Sequence, residues 1–160
     1  MKKSAIVIGS KGQDGTFLTN YLNNYSYDVI EIDINYLKSA GIAGPQAVNI
    51  KSFEDVFELI RFVKPSEIYY LAAYHQSSEE EIGIGIDIIS KSYEVNIFSY
   101  LNFLEGIRNH SRNSKIFYAS SCHIFGNPTQ KYQNESTKVN PNSVYSITKY
   151  DAMQITKYYR

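Results

Sequence analysis

Three glycines near the start of the chain have the spacing of a phosphate-binding turn. Gly9, Gly12 and Gly15 follow a short apolar run and precede a helical pattern. Nine glycines in 160 residues give roughly 0.03 such triplets by chance, so the motif is informative. The glycines allow a tight turn, a close approach to a pyrophosphate, and close packing of helix on strand. We therefore predict a dinucleotide-binding turn; a glycine-rich connection without a ligand is the alternative.

An acidic residue lies at the end of the second predicted strand. Asp33 comes eighteen residues after Gly15, near the spacing of about 20 at which a carboxylate binds the ribose 2′-hydroxyl of NAD. Its charge would repel the 2′-phosphate of NADP, and no arginine lies between Gly15 and Gly44 to bind one. The coenzyme is thus NAD or NADP, with NAD favoured, unless Asp33 only ends a strand and starts a turn.

A tyrosine and a lysine share one face of the last predicted helix. Tyr145 and Lys149 stand at i and i+4. With fifteen tyrosines, about one such pair is expected by chance, so spacing alone says little. Their position is informative, because they follow the fifth strand and Ser121, where ligands of open α/β sheets bind. A phenol acts as a base near neutrality if its pKa falls by about three units, which Lys149 and a positively charged nicotinamide could bring about.

Alternating strands and helices position these residues. Short apolar runs predict strands, and a 3.6-residue period predicts helices between them. Ser52 and Asp55 have capping-box spacing, Pro65 ends that helix, and residues 73–90 are predicted to be a loop. The alternation implies an α/β fold with a doubly wound, Rossmann-like parallel sheet. The predicted strands are Ser4–Gly9, Asp28–Ile34, Ala47–Ile50, Glu67–Ala72 and Lys115–Ala119; the predicted helices are Thr16–Asn24, Ser52–Lys64, Ser92–Asn109 and Ser143–Arg160.

Composition excludes several classes of protein. Sixteen basic and sixteen acidic residues leave no positive field for nucleic acid. The lone Cys122 cannot form an internal disulfide, and no apolar run approaches the roughly eighteen residues of a membrane helix. His75 and His110 have no partner at metal-ligand spacing, so no metal site is predicted. We expect a cytoplasmic protein without nucleic-acid or membrane partners.

Taken in order, these motifs resemble the extended short-chain dehydrogenase/reductase family, specifically its nucleotide-sugar epimerases and dehydratases. The resemblance rests on the glycine turn, Leu71-Ala-Ala73, Ser120-Ser121 and the pair Tyr145 and Lys149, and it spans the whole chain. Within the family, Gly12-Gln-Asp-Gly15 and the segment 65–73 are most similar to the GDP-mannose 4,6-dehydratases. Asn96 matches the family's Val-Asn before the fifth strand.

The resemblance implies a role for each matched residue. Tyr145 would take the proton of the sugar 4-hydroxyl while the C4 hydride passes to the nicotinamide. Lys149 would lower the pKa of the tyrosine and hold the coenzyme ribose, and Ser121 would hydrogen-bond the same sugar oxygen. The further coenzyme-binding positions that it implies are Gln13 and Asp14 in the phosphate turn, Asn49 and Ile50 beside the adenine, and Leu71, Ala72 and Ala73 along the coenzyme.

One departure from the dehydratase pattern keeps alternative reactions open. Dehydratases carry a glutamate two residues after the catalytic Ser or Thr, and His123 stands there in this chain. Its imidazole titrates near pH 6.5 and is a candidate base. Epimerases lack that acid, so His123 and Asp33 favour a 4-epimerase, whereas Gly-Gln-Asp-Gly favours a dehydratase. A 4-keto reductase is a further alternative.

A dinucleotide-binding module without turnover is an alternative of another class. A doubly wound dinucleotide domain has six strands, and five are predicted here. In the resembling family, the part that binds the nucleotide sugar follows the tyrosine helix. We therefore expect residues 1–160 to be an NAD(P)-binding domain without the substrate domain. The family often dimerises through the two helices that resemble Ser92–Asn109 and Ser143–Arg160, so a homodimer is also expected.

Overall fold

A computed structural model describes residues 2–34, 36–39, 48–75 and 85–160, with only the backbone described for 36–39. Two short irregular turns are present, a π-helical turn at Glu94–Phe98 and a 3₁₀ turn at Cys122–Phe125. The strands are β1 (Ser4–Ile8), β2 (Asp28–Asp33), β3 (Tyr36–Ser39), β4 (Glu67–Tyr70) and β5 (Lys115–Tyr118); the helices are α1 (Gln13–Asn24), α2 (Phe53–Val63), α3 (Ile86–Tyr93), α4 (Ser99–His110) and α5 (Val144–Tyr159).

The strands form one sheet in the order β3-β2-β1-β4-β5. Strand β1 pairs in parallel with β2 and β4, with Ala5 opposite Val29 on one side and Glu67 on the other, and β4 pairs in parallel with β5. The predicted α/β fold is thus confirmed. Because the chain passes to opposite sides of β1, the carboxyl ends of β1 and β4 flank the crevice where open α/β sheets bind ligands.

The third strand differs from the sequence prediction. It is β3, which runs antiparallel to β2 at the edge of the sheet, with Asp33 opposite Tyr36. The predicted strand Ala47–Ile50 was wrong in its described part, because residues 48–50 belong to no strand; Ala47 lies outside the described residues. The Asn49 side chain instead accepts a hydrogen bond from Lys51 N at 3.1 Å, a local contact typical of a turn.

The two faces of the sheet are covered unequally. One face packs on α2, α4 and α5 and holds most of the buried apolar side chains, with Tyr70, Tyr100 and Phe103 fully buried at its centre. The other packs on α1 around a smaller cluster that includes Val7 and Leu22. Phe117 of β5 is 54% exposed. The catalytic candidates of α5 therefore lie on the well-packed face.

Two helix boundaries differ from the sequence prediction. Helix α1 begins at Gln13 and not at Thr16, and α3 begins at Ile86, inside the predicted loop 73–90. Residues 76–84 of that loop lie outside the described residues. Ile86 is 74% exposed and Ile89 is 43% exposed. The apolar residues of α3 do not form a buried stripe, which is why the helical period was not recognised.

The turn that joins α3 to α4 leaves backbone carbonyls for other donors. Ser99 N–H bonds Glu94 O, five residues back, as in a π-helix. Hydroxyl groups donate to three of the backbone carbonyls in this turn. Ser99 Oγ donates to Glu94 O at 2.8 Å. Tyr70 donates to Val95 O at 2.6 Å, and Tyr118 donates to Asn96 O at 3.4 Å. Tyr70, which is buried in β4, and Tyr118, which is partly buried in β5, thus hold the turn against the sheet.

Serine caps fix the starts of two helices. The Ser52 hydroxyl accepts Asp55 N at 3.2 Å, which confirms the predicted cap of α2. At α5, Ser143 and Ser146 form a reciprocal capping box, with Ser146 N donating to Ser143 Oγ at 3.2 Å. These bonds set where α5 begins, at Val144, one residue before Tyr145. Within the described ranges, no helix has the length and apolar character needed to cross a membrane.

Candidate active site

Close backbone contacts form the glycine turn between β1 and α1. Gly9 has a φ of +85°, and a Cβ there would lie 2.7 Å from Ala72 N. At Gly15 a Cβ would lie 2.1 Å from Gly9 O, whereas at Gly12 the nearest neighbour, Gly9 O, would be 3.4 Å away. Gly9 and Gly15 are therefore required by the turn itself. Gly12 leaves room on the outer side for a ligand.

The start of α1 fits an anion. Gly12 is the N-cap residue and has no side chain to cap the first amides; the first helical bond runs from Thr16 N to Gly12 O at 2.9 Å. The preceding amides of the first turn are the groups that helices offer to phosphates. Gln13 and Asp14 are exposed in this first turn. The residues present therefore fit the pyrophosphate of a dinucleotide.

Asp33 lies beside this turn. Its two carboxylate oxygens accept backbone N–H groups, Oδ2 from Lys11 at 2.7 Å and Oδ1 from Ile34 at 2.8 Å. The Lys11 bond connects the glycine turn to the end of β2. The carboxylate is held at the edge where a ribose would lie, and each oxygen retains a lone pair for a hydroxyl.

The remaining coenzyme candidates lie on two segments. Ile50 packs against the main core, and its carbonyl accepts Asn102 Nδ2 at 3.0 Å, while exposed Asn49 donates its N–H to Asp55 Oδ2 at 2.9 Å. Leu71 N and Ala72 N both donate to Ile8 O, at 2.9 and 3.0 Å. The segment Leu71–Ala73 therefore runs directly along the glycine turn. Asn49 and Ile50 lie before α2, away from this segment in sequence.

Lys149 is a buried cation of α5. It is 1% exposed, its Nζ donates to Ala119 O at 2.8 Å, and it lies 4.7 Å from the centroid of the Tyr118 ring and 5.6 Å from that of Tyr145. Burial lowers the pKa of Lys149 to about 8. The lysine thus brings a positive charge to the tyrosine at neutral pH.

Tyr145 is half-buried at the start of α5. Burial raises the pKa of its hydroxyl, and a hydrogen bond with Ser121 acts in the opposite direction. Ser121 itself caps the turn after β5, where its Oγ accepts His123 N at 3.2 Å. The structure therefore brings Ser121, Tyr145 and Lys149 together, although the downward shift expected for Tyr145 is not present in the chain by itself.

Two imidazole rings flank Tyr145. The His123 ring lies 6.1 Å from the Tyr145 ring, and the His75 ring lies 4.5 Å from it at an interplanar angle of 90°. The sequence predicts His123 as a candidate base, whereas it gives His75 no role, because His75 has no partner at metal-ligand spacing. No local signal could have placed His75 here, because the contact depends on how the segment after β4 meets α5.

Asn96 is a second residue whose structural role the sequence did not indicate. It is fully buried in the π-helical turn, where its Oδ1 accepts Tyr74 N at 2.8 Å and its Nδ2 donates to Tyr74 O at 3.2 Å and to Thr148 Oγ1 at 2.9 Å. One amide thus connects the segment that follows β4 with the helix that carries Tyr145. The match to the family's Val-Asn singled out Asn96 in the sequence, but it did not predict its hydrogen-bond partners Tyr74 and Thr148.

Comparisons with known proteins agree with this arrangement. A family described as GDP-mannose 4,6 dehydratase matches residues 6–160. The GDP-mannose 4,6 dehydratase of Drosophila melanogaster is 28% identical over 99% of this chain and 43% of its own length, so the chain spans less than half of that relative.

Solved structures share the fold. The UDP-glucose 4-epimerase from Brucella ovis in complex with NAD matches with a TM-score of 0.80 and 20% identity over 98% of this chain and 47% of its own. The dTDP-4-dehydrorhamnose reductase from Bacillus anthracis in complex with NADP matches with a TM-score of 0.79 and 22% identity over 100% and 51%. With a family match over nearly all of its residues, the chain belongs to the GDP-mannose 4,6 dehydratase family of the extended short-chain dehydrogenases/reductases.

Proposed function

We propose that this chain forms the coenzyme-binding part of an enzyme that modifies a nucleotide-activated hexose through a 4-keto intermediate, with 4,6-dehydration of GDP-mannose as the reaction. One observation carries the proposal: Ser121, Tyr145 and Lys149 meet at the carboxyl edge of the sheet, the same edge that carries the glycine turn. Membership of the family supports the choice of substrate. The roles that follow are part of the proposal.

Residues of the glycine turn and of the segments around it would hold the coenzyme. The amides after Gly12 bind the pyrophosphate, Asp33 binds the ribose hydroxyls, and Leu71–Ala73 line the nicotinamide side. Asn49 and Ile50 would lie beside the adenine. A nicotinamide dinucleotide, when bound, would supply an acceptor for the C4 hydride and return that hydride to C6 after the 6-hydroxyl has left, while C5 regains a proton, so the dehydration has no net redox change. The redox chemistry belongs to that group, and the protein orients it.

The side chains around Tyr145 handle the protons. Tyr145 takes the proton of the 4-hydroxyl while Ser121 hydrogen-bonds the same oxygen. The Lys149 ammonium stabilises the phenolate by charge, since its Nζ lies 5.6 Å from the ring centroid. His123, in the place of the dehydratases' glutamate, takes the C5 proton and returns it to the departing 6-hydroxyl. The elimination then needs no further acid from the chain.

The product distinguishes the reactions. With NAD and GDP-mannose, a dehydratase yields a 6-deoxy-4-keto sugar that absorbs in alkali, whereas an epimerase yields none. We expect the absorbing product from a longer protein that joins these residues to a substrate-binding part. Tyr145→Phe should lower its rate of formation by about a hundredfold or more, because the base is lost. Formation of an epimer without the keto sugar would instead support the 4-epimerase alternative.

Asp33 provides a test of coenzyme preference. A fixed carboxylate repels a 2′-phosphate and accepts a 2′-hydroxyl, so NAD should bind at least about tenfold more tightly than NADP. Asp33→Ser keeps a short polar side chain and removes the charge, and it should abolish this preference. Titration calorimetry with both coenzymes measures it. Equal binding of NAD and NADP by the wild-type protein would contradict the role of Asp33.

A binding module without turnover remains the second candidate, because the chain spans about half the length of its relatives. It would bind NAD and give no product by itself, while a longer protein that includes these residues would give product. Product from the 160 residues alone would exclude this candidate. The assignment of residues 1–160 as a coenzyme-binding domain without the substrate domain stays a prediction, and so does the homodimer.

A further inference from the structure

Lys149 carries its charge without help from a carboxylate. Among residues 2–34, 48–75 and 85–160, no Asp or Glu forms a salt bridge with it. Asp151, two residues further along α5, is bonded to the Tyr93 hydroxyl at 3.0 Å. Moving an ammonium out of water is costly unless protein groups replace the lost hydration. The carbonyl of Ala119, at 2.8 Å, provides one such group, and the aromatic rings beside the lysine are the next to consider.

The ring of Tyr118 lies closest to this ammonium. Lys149 Nζ is over the Tyr118 ring at 4.7 Å from its centroid, compared with 5.6 Å for the Tyr145 ring. The face of an aromatic ring carries negative potential and attracts a cation within about 6 Å of the centroid, most strongly where water is excluded. Because Tyr118 and Ala119 are adjacent at the end of β5, one short segment provides both the ring and the carbonyl acceptor.

The neighbours of Tyr118 fix its ring in this position. The ring stacks on Tyr70 of β4, with centroids 5.9 Å apart and an interplanar angle of 19°, and lies 4.6 Å from the Tyr100 ring of α4. The Tyr118 hydroxyl donates to Asn96 O at 3.4 Å. Burial raises the pKa of this hydroxyl, so Tyr118 stays neutral near neutrality and acts on the lysine through its ring.

The other titratable groups near Lys149 are neutral or belong to the site around Tyr145. They are the phenols of Tyr70 and Tyr100, which pack on Tyr118, and Tyr145 itself with its neighbours Cys122, His75 and His123.

We propose that the Tyr118 ring holds the Lys149 ammonium in place and offsets its lost hydration, so that Lys149 stays a cation beside Tyr145. Tyr118 is then a positioning residue, because it acts through Lys149. An ammonium has three N–H groups, and a ring face attracts it without requiring a directed hydrogen bond. An N–H therefore remains for the coenzyme ribose. The coenzyme and sugar steps rest on the proposed function, whereas the contact of Lys149 with Tyr118 does not.

The first experiment needs neither coenzyme nor turnover. With ¹³C-labelled lysine, each Cε signal reports the loss of the ammonium proton as pH rises, and Lys149→Met identifies the signal of Lys149. Tyr118→Phe keeps the ring face, so Lys149 should titrate as in the wild type. Replacing Tyr118 by ring-trifluorinated phenylalanine keeps nearly the same shape but removes the negative potential of the face. The pKa of Lys149 should then be about one unit lower than in Tyr118→Phe.

Two further measurements separate this effect from a change of packing. Lys115 is exposed at the other end of β5, and its signal should titrate at the same pH in every protein. Tyr118→Leu removes the ring and should lower the pKa of Lys149 in the same direction. Since leucine also changes the packing, the fluorinated protein is decisive. If Lys149 titrates there as in Tyr118→Phe, the proposal is overturned.

The second experiment measures the consequence for the reaction. In a longer protein that oxidises the sugar, the rate should fall at high pH as Lys149 loses its proton and no longer stabilises the phenolate. The fluorinated ring should move this alkaline limb to a pH about one unit lower than in Tyr118→Phe. A merely structural role of Tyr118 would lower the rate at every pH and leave the limb in place, which would contradict the proposed action through Lys149.

The two proposals fail in different ways. A longer protein that never reduces the coenzyme contradicts the proposed function, and the ¹³C titration still decides whether the Tyr118 ring acts on Lys149. An unchanged titration in the fluorinated protein overturns the role of Tyr118, whatever reaction the longer protein catalyses.

Discussion

The glycine end and the tyrosine end of the candidate site are built in different ways. At the glycine end, β1, the turn and α1 follow one another in sequence, and Gly15 approaches Gly9 O because it has no side chain. At the tyrosine end, hydrogen bonds join elements that are distant in sequence, such as Asn96 and Thr148, 52 residues apart. The structure of the glycine end depends on the absence of side chains at its glycines, and that of the tyrosine end depends on hydrogen bonds between buried polar groups.

This difference determines which substitutions each end tolerates. A glycine turn tolerates no added Cβ where backbone already fills the space. A network of buried polar groups fails when one partner is removed and the others are left without hydrogen bonds. The glycine end should therefore be sensitive to added atoms, and the tyrosine end to removed ones.

The largest effect is expected from Gly15→Ala. The new Cβ would lie 2.1 Å from Gly9 O, so β1 and α1 must separate. We expect the free energy of unfolding in urea to fall by more than about 4 kcal/mol, or the protein not to fold.

Gly12→Ala is the matched control for this variant. Its Cβ would lie 3.4 Å from Gly9 O, an ordinary contact. Stability should change by less than about 1 kcal/mol, while NAD binding weakens because the methyl group occupies the space of the ligand. Equal stability losses in both variants would contradict the close approach at Gly15.

A smaller effect is expected from Asn96→Leu. The leucine keeps the branching of the side chain but leaves Tyr74 N, Tyr74 O and Thr148 Oγ1 without the amide partner. Urea denaturation should show a loss of about 3 kcal/mol. Asn102→Leu in α4 removes one bond, to Ile50 O, and should cost about 1 kcal/mol. Similar losses in the two variants would mean that Asn96 does not join the two segments.

The smallest effect is a pH dependence. Burial lowers the pKa of Lys149 from 10.5 to about 8, so the unfolded chain binds more protons between these values. The cost of burying the charge is fully present below about pH 8, and stability rises as pH increases above it. From pH 8 to 9.5 the wild type should gain on the order of 1 kcal/mol relative to Lys149→Met. Parallel pH profiles of the two proteins in urea would show that the lysine is not buried as a cation.

Local sequence patterns explain why the glycine end of the site was predictable. The glycine spacing, the apolar β1 and the Ser52 cap each act over a few residues, and the structure has them where the sequence indicates. The antiparallel β3 was missed because it is a four-residue strand that pairs only with β2 and has no run of apolar residues in its sequence. The early part of α3 was missed because Ile86 and Ile89 remain exposed.

Tertiary packing explains why the second end was only partly predictable. Tyr145, Lys149 and Ser121 were identified from a family resemblance, and the structure shows that they meet. The burial that lowers the pKa of Lys149 depends on the contacts of α5 with β5, which no spacing reveals. The contact between His75 and Tyr145 likewise arises only when β4 and α5 are brought to the same edge.

The π-helical turn Glu94–Phe98 determines which side chains of α4 point toward α5. Each residue of an α-helix turns the chain by about 100°, so one additional residue in a turn changes by about that angle the side of the helix on which every later side chain lies. Tyr93, before the turn, reaches Asp151 of α5, and Tyr100, after it, reaches Thr156 of the same helix at 2.8 Å. Seven residues of a regular α-helix return to nearly the same side, so the additional residue of the π-helical turn means that Tyr93 and Tyr100 reach α5 from sides of the helix that differ by about 100°. Removing one residue from the turn would rotate α4 relative to α3 by about that angle, and the two tyrosines could not keep both contacts with α5.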